Sequence, residues 1–202
     1  GKGLGNQFLS VAAQSDVLLH IVDVSGGIDA TGKIAEQGTG DPVADVGDIE
    51  EELAMWYLKL LEGNRDKISR SIHSGVDNIN AISDVLRGIG VRNDHVKLAL
   101  HNNSMLDVPF DEYDTQKMRD FSWSLRGISK PTLILANKID LPTAADNFKK
   151  KKEKYKDILV IPSSADAELT LRRAETRGLI RYNPGDERFE INKQEQLNDK
   201  QK

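Results

Sequence analysis

The chain has 202 residues, of which 38% are hydrophobic and 30% charged, and its formal net charge is −4. The absence of cysteine excludes disulfides and cysteine-based metal sites, and the acidic balance excludes a general attraction to nucleic acids or acidic membranes. No apolar run approaches the roughly 20 residues of a membrane-spanning helix. We predict a cytoplasmic protein with no membrane partner, and the absence of cysteine fits a reducing compartment. Residues 1–6 contain no initiator Met and no apolar signal segment, which indicates a chain entered midway.

Three apolar runs rich in β-branched residues predict strands. They cover residues 17–24, 132–136 and 158–161, and a short amphipathic helix over residues 6–15 precedes the first. Continuous apolar runs of this kind are typical of strands in a parallel sheet that is covered on both faces. Because helix signals follow each run, we predict an α/β fold built on a partial, doubly wound parallel sheet.

The long segment between the first two runs predicts a helical insertion. After a glycine-rich loop at 25–40, Asp41-Pro42 begins a helix, because Asp caps a helix and Pro fits its first turn. Apolar residues then recur at helical spacing through 49–61 and 68–86, and the two stretches join near Gly63-Asn64. This pattern predicts an antiparallel helical hairpin that projects from the sheet domain.

The insertion divides the chain into domains. Two shorter helices, one beginning at Asn93 or Asp94 and one covering about 111–126, complete the inserted segment. The predicted segments are 1–41 and 128–191 for the sheet domain, 42–127 for the helical insertion domain, and 192–202 for a flexible tail.

Two helices and a turn follow the later strands. Residues 143–156 predict a polar helix whose lysine run at 149–152 forms a solvated face, with an RNA contact as the alternative. Residues 166–178 predict a helix closed by Gly178, and Asn183-Pro184-Gly185-Asp186 predicts a turn.

Asn137-Lys138-Ile139-Asp140 follows the second apolar run directly, at the strand end where doubly wound sheets bind their ligands. Guanine presents two neighbouring donors, N1–H and the N2 amino group, and the carboxylate of Asp140 can accept both. Asn137 can reach the N7 edge of the base or brace neighbouring loops, and the aliphatic stem of Lys138 can cover one face of the ring. The alternative interpretation is a surface turn with two solvated charges.

Pro162-Ser163-Ser164-Ala165 follows the third apolar run in the same way. A backbone N–H of Ser164 or Ala165 could donate to guanine O6, because small residues let the backbone approach a base. The alternative is a helix N-cap by Ser163 or Ser164, and the two interpretations are compatible.

Two polar residues of the first apolar run have simpler interpretations. His20 is predicted to be a core histidine rather than a ligand. Asp23, at the end of the run, is predicted to orient loops near the site, and no metal partner for it is evident in the sequence.

Asn137 to Asp140 and Ser164-Ala165 resemble the fourth and fifth motifs of the P-loop GTPases. Over nearly its whole length the chain resembles the YchF branch of the Obg-related GTPases, and the archaeal form in particular. The segments that carry this resemblance are Gly3 to Leu9, His20 to Asp23, Asp41-Pro42, Met55-Trp56, Ala167 to Ala174, and Pro184 to Asp186 with Phe189.

The resemblance implies a guanine-nucleotide-binding protein that binds GTP or GDP and, in its intact form, hydrolyses GTP. It also implies a helical coiled-coil insertion, which matches residues 42–127. Asn137 and Asp140 would select the base and Lys138 would cover the ring. Ser163, Ser164 and Ala165 would form the loop that holds O6.

The resemblance also implies parts that the 202 residues do not contain. A P-loop, a Mg²⁺-binding switch and a D-x-x-G turn would precede Gly1, and a small TGS domain would follow the chain. No G-x-x-x-x-G-K-[ST] motif occurs in the sequence. We therefore assign no catalytic residue and no metal ligand to these residues, and expect the chain by itself to be inactive.

Two alternative functions stay open at this point. Many members of the family carry a changed fourth motif and prefer ATP, but Lys138 and Asp140 favour guanine here. The second alternative is a non-enzymatic module whose insertion contacts ribosomal RNA or protein, since the family is expected to act on ribosomes. The mixed charge of residues 50–87 does not favour a basic RNA-binding stripe. The cellular partner and the oligomeric state are left open.

Overall fold

The computed structural model describes residues 11–12, 14–29, 31–42 and 44–192. The predicted helix at 6–15 lies mostly outside these ranges, as does the predicted tail beyond residue 192. The strands are β1 (Leu18–Asp23), β2 (Thr132–Asn137), β3 (Leu159–Pro162), β4 (Ile180–Arg181) and β5 (Glu190–Ile191). The helices are α1 (Ala44–Gly63), α2 (Arg65–His73), α3 (Asn78–Leu86), α4 (Asn93–Asn102), α5 (Thr115–Ser129), α6 (Ala144–Lys154) and α7 (Ala165–Thr176).

The three predicted strands form one parallel sheet in the order β1-β2-β3. The N–H of Leu18 donates to the carbonyl of Pro131 at 2.9 Å, and the N–H of Val24 donates to that of Asn137 at 3.0 Å. The two bonds join residues that advance together along both strands, which is the parallel arrangement. The α/β class and the parallel sheet are therefore confirmed.

The expectation that these strands are covered on both faces is wrong for the described residues. Val22, Ile134 and Val160 are buried, whereas Ile21 and Leu159 are each 61% exposed. Successive side chains of a strand point to opposite faces of a sheet, so only one face is covered here. An apolar run alone cannot reveal this, because it looks the same whether one face or both are covered.

One compact unit consists of the described parts of residues 1–20 and 44–134. Its helices share an apolar core, whose largest buried side chains include Tyr57, Leu61, Ile82, Phe110 and Phe121. Helix α5 packs against both α1 and α4. Because the main partner of α1 is α5 and not the next helix in sequence, this unit is a bundle, and the predicted hairpin is corrected.

The second stretch of the predicted hairpin is divided into α2 and α3. Gly75 has a φ of +98° and ends α2, and the side chain of Asp77 then caps α3 by accepting the N–H of Asn80 at 3.0 Å. Ile72 and Val76, on either side of the break, both pack against the common core. The apolar spacing therefore continues through the turn, which explains why the sequence pattern indicates one helix.

The second compact unit consists of the described parts of residues 21–43 and 135–202. Helix α7 ends at Thr176, and Gly178 in the turn that follows has a φ of +68°. The N–H of Leu179 reaches back from this turn to the carbonyl of Ala174 at 3.0 Å. The turn before β5 also forms as predicted, with a bond of 3.0 Å from the N–H of Asp186 to the carbonyl of Asn183. The domain boundaries predicted from the sequence, at 41/42 and 127/128, stay a prediction.

The lysine run on α6 is a solvated face only in part. Lys149, Lys150 and Lys152 are exposed, whereas Lys151 is completely buried and its Nζ donates to the carbonyl of Pro42. Each residue advances about 100° around a helix, so four consecutive lysines cannot all face solvent when the helix packs on its own unit. The uniform solvated face predicted for residues 149–152 is therefore corrected at one position.

We expect His95 to make the helical unit less stable in mild acid. Its buried ring accepts the N–H of Arg92 at Nδ1 (3.3 Å), with Asp94 at 4.0 Å from Nε2 and Lys130 also nearby. Burial lowers the pKa of His95, and the charge of Arg92 lowers it further. Below the unfolded pKa of about 6.5, the unfolded chain therefore binds a proton that the folded chain does not.

The urea midpoint should fall as the pH drops from about 7.5 to about 5.5, because that interval includes the unfolded-state pKa. A His95→Gln variant keeps an acceptor side chain but does not titrate, so its midpoint should change less over the same interval. Equal pH dependence in the two proteins would exclude His95 as the cause.

Candidate functional site

The loops that follow β2 and β3 lie against each other. The N–H of Ser163 donates to the carbonyl of Ala136 at 2.9 Å, and the N–H of Ile139 donates to the carbonyl of Ser163 at 3.1 Å. These bonds continue the pairing of the two strands beyond their carboxyl ends, where parallel sheets present their ligand-binding crevices. Both predicted motifs are thereby brought to one place.

A cavity of about 580 Å³ opens between these loops. Five of the six predicted site residues line it, and Ser163 does not. Three further lining residues were not singled out from the sequence. The complete lining is Asn137, Lys138, Asp140, Leu141, Ser164, Ala165, Asp166 and Leu169. Leu169 lies four residues after Ala165 on α7, and this helical spacing is the one signal that could have identified it.

Asn137 braces the second loop in this structure. Its Oδ1 accepts the N–H of Ala165 at 3.0 Å and lies 3.5 Å from the hydroxyl of Ser163. This is one of the two roles considered for Asn137. It also means that the Ala165 N–H, a candidate donor to O6, is bonded to the protein here.

Ser164 is the N-cap of α7. Its Oγ accepts the N–H of Ala167 at 3.3 Å. The capping interpretation is therefore confirmed for this residue, which also lines the cavity. Ala165 and Asp166 of the first turn of α7 line it too, so the N-terminus of α7, with its partial positive charge, borders the cavity.

Lys138 extends to the end of the neighbouring strand β1. Its Nζ lies 2.6 Å from Oδ2 of Asp23, and its backbone has a φ of +65°. The side chain of Asp23 is only 8% exposed, and that of Lys138 is 49% exposed. Burial raises the pKa of Asp23, but hydrogen bonds from Lys138 and Ser25 together lower it below its usual value.

Asp140 is exposed and lines the cavity. It makes no hydrogen bond or ion pair with the residues that the structure describes. Its two carboxylate oxygens therefore retain their full capacity to accept hydrogen bonds. This is the arrangement that pairing with two adjacent donors on a ligand requires.

Comparison with known proteins places the site in a family. Residues 135–202, which include both loops, match the family model described as "Obg-like GTPase YGR210-like, G4 motif-containing domain". A GTP-binding protein of Methanocaldococcus jannaschii is 37% identical over 199 residues, covering 98% of this chain and 49% of the relative. Over nearly its whole length the chain is therefore similar to GTP-binding proteins, and its last third is similar to the Obg-like GTPases.

Two further relatives extend this comparison. A GTP-binding protein of Schizosaccharomyces pombe is 32% identical over 188 residues, covering 93% of this chain and 45% of the relative. The crystal structure of a GTP-binding protein from Pyrococcus horikoshii OT3 superposes with a TM-score of 0.76 and 32% identity, over 88% of this chain and 51% of that one. The chain thus spans about half the length of the curated relatives it matches.

In the part of the chain that the structure describes, no group of three or more His, Asp or Glu side chains is arranged to hold a metal ion. Metal ligands are therefore assigned to none of the described residues. Within the same ranges, no helix is both long enough and apolar enough to cross a membrane.

Proposed function

We propose that this chain recognises the base of a guanine nucleotide at the cavity between the loops after β2 and β3. The observation that carries the proposal is the convergence of Asn137, Lys138, Asp140 and Ala165 on one cavity. The description of its relatives as GTP-binding proteins supports the same ligand. The roles given to the individual residues are part of this proposal.

Asp140 is the residue that distinguishes guanine from adenine. Its carboxylate accepts hydrogen bonds from N1–H and the N2 amino group of guanine. Adenine has an unprotonated N1 and no amino group at C2, so it would leave this exposed carboxylate without either donor. The proposal therefore favours guanine over adenine, and the ATP-preferring alternative would require Asp140 to be unused.

The loop that begins α7 would hold O6 of the base. Ser164 and Ala165 line the cavity, and a small shift of the Asn137 side chain would release the N–H of Ala165. Asn137 would then keep its contact with the second loop or turn to the N7 edge. Lys138 and Leu169 supply apolar surface at the cavity for the two faces of the ring.

We further propose that the intact protein is a cytoplasmic GTP hydrolase of the Obg/YchF type. The phosphate groups of the nucleotide and any Mg²⁺ would be bound by residues outside this sequence. The resemblance also predicts that residues 42–127 bind the ribosome or ribosomal RNA and that they contain a coiled coil. Both stay predictions. Base contacts of about 0.5–3 kcal/mol each, against an association cost of about 4–15 kcal/mol, leave little net binding for the chain by itself.

Titration calorimetry with GTP and ATP tests this function. We expect the full-length protein to bind GTP more tightly than ATP, because only guanine donates to Asp140. We expect the 202-residue chain by itself to bind GTP weakly and to hydrolyse none. Equal affinity of the full-length protein for GTP and ATP, or tighter binding of ATP, would refute the proposed base preference.

A further inference from the structure

Asp23 lies outside the cavity lining but contacts the motif that forms it. One of its carboxylate oxygens, Oδ1, accepts both the N–H (3.0 Å) and the hydroxyl (2.5 Å) of Ser25. The other, Oδ2, accepts Nζ of Lys138 at 2.6 Å. The Asp23 side chain is only 8% exposed, and Ser25 holds its carboxylate independently of Lys138.

The backbone of Lys138 adopts a conformation that needs such support. A φ of +65° is uncommon for residues other than glycine, asparagine and aspartate, and it persists where the surroundings hold it. In that conformation Lys138 contributes to the cavity lining while its ammonium group is directed to Asp23. The charge of Lys138 is thereby paired within the protein, and its aliphatic stem is the part left for a ligand.

Ser25, which orients Asp23, is itself held by the residue that precedes α6, and its neighbour Val24 is held by α6. The hydroxyl of Thr143 donates to the carbonyl of Ser25 at 2.8 Å, and the side-chain amide of Asn147 donates to the carbonyl of Val24 at 3.0 Å. Ser25 is buried. The end of β1 is therefore a rigid support, and Lys138 is the contact between this support and the cavity.

We propose that Asp23 is a positioning residue for nucleotide binding: it holds Lys138 so that the aliphatic stem of Lys138 covers one face of the base. The inference rests on the proposed guanine-nucleotide function and deepens it, because it names the residue that fixes the position of the Lys138 side chain. Asp23 does not touch the ligand. Lys138 acts at the base through its stem, and its ammonium group is kept away from the phosphate groups by the ion pair.

A double-mutant cycle on the full-length protein tests this role, with the fluorescent ligand mant-GDP as the probe. Asp23→Asn has nearly the same shape but lacks the charge, so we expect it to weaken binding about tenfold. Lys138→Met keeps an unbranched stem and removes the ammonium group. Because Asp23 acts through that group, adding Asp23→Asn to Lys138→Met should cause little further loss.

Asp29→Asn is the matched control. Asp29 also accepts hydrogen bonds from its own loop, from the N–H and hydroxyl of Thr31 and from the N–H of Lys33, but it does not line the cavity. We expect this variant to bind mant-GDP as the wild type does. A loss as large as that of Asp23→Asn would show that any weakened loop in this region has the same effect, and would overturn the inference.

The remaining outcomes separate the inference from the function on which it rests. If the wild type binds mant-GDP and Asp23→Asn binds it equally well, or if the loss persists in the Lys138→Met background, the positioning role is wrong and the proposed function stands. If the full-length wild type binds no guanine nucleotide, the proposed function fails and the inference fails with it.

A measurement on the wild type alone tests the ion pair even if a variant fails to fold. The rate at which an amine-acylating reagent modifies each lysine of the unliganded wild type can be followed by mass spectrometry. Pairing with Asp23 predicts that Lys138 reacts several-fold more slowly than the exposed Lys149 and Lys150. Equal rates would overturn the ion pair on which the inference depends.

Discussion

Asp140→Asn in the full-length protein is expected to exchange a preference for guanine for a preference for xanthine. The amide replaces one carboxylate oxygen with a donor, which faces one of the two donors of guanine and cannot accept from it. Xanthine carries an oxygen at C2, which accepts from that amide. With two charge-assisted hydrogen bonds at stake, at about 1.5–3 kcal/mol each, GTP affinity should fall by about two to four powers of ten.

Competitive titration with GTP, XTP and ATP measures this exchange. Asp157→Asn is the control, because Asp157 is an exposed carboxylate of the same compact unit that does not line the cavity. It should leave the order of the three affinities unchanged. If Asp140→Asn also left that order unchanged, the role given to Asp140 would be wrong, whatever the total affinity.

Arg126→Met is expected to be the most damaging of these substitutions for the stability of the helical unit. Arg126 on α5 pairs with Glu50 on α1, and its Nη2 donates to Oε1 of Glu50 at 2.9 Å and to the hydroxyl of Thr132 at 2.7 Å. Both side chains are largely buried. Removing the guanidinium leaves an uncompensated carboxylate, and breaking buried pairs in this way costs about 3–5 kcal/mol.

Urea unfolding followed by tryptophan fluorescence reports on this unit, since both tryptophans of the chain, Trp56 and Trp123, lie in α1 and α5. The double variant Arg126→Met/Glu50→Leu removes both charges and should recover most of the loss, because apolar pairs replace buried ion pairs at little cost. If the double variant were as unstable as Arg126→Met, lost packing and not an unpaired charge would be the cause.

The pair of Arg119 with Glu51 offers a matched comparison on the same two helices. Its atoms are 3.4 Å apart, but both side chains are more than half exposed. Exposed pairs contribute about 0–1 kcal/mol, so Arg119→Met should have little effect on the urea midpoint. A similar loss from both substitutions would contradict the importance given to burial.

Local patterns were sufficient to locate most of the fold. The three predicted strands lie within one or two residues of β1, β2 and β3, because apolar β-branched runs and the helix signals after them depend on neighbouring residues. The break between α2 and α3 was missed, since the apolar spacing that defines a helix continues through it. The helical partner of α1 was also missed, because such spacing reveals which side of a helix is buried but not what covers it.

Part of the candidate site could also be predicted from local patterns. Asn137, Lys138, Asp140, Ser164 and Ala165 follow apolar runs directly, and parallel strands bring such segments to one edge of a sheet. Leu169 and Asp166 were not singled out, because they belong to the cavity only through the direction in which α7 leaves the sheet. The uncovered sheet face and the buried Lys151 could not be predicted either, since both depend on which elements pack together.

The sequence by itself determined the elements of this protein and the chemistry at the ends of its strands, because propensity, periodicity and motif are properties of adjacent residues. Tertiary structure alone decided which of those residues act on one another. Asp23 and Lys138 are 115 residues apart in the chain, yet their side chains meet at 2.6 Å. They do so because β1 and β2 are neighbours in a parallel sheet and end at the same edge, a relation that no local pattern contains.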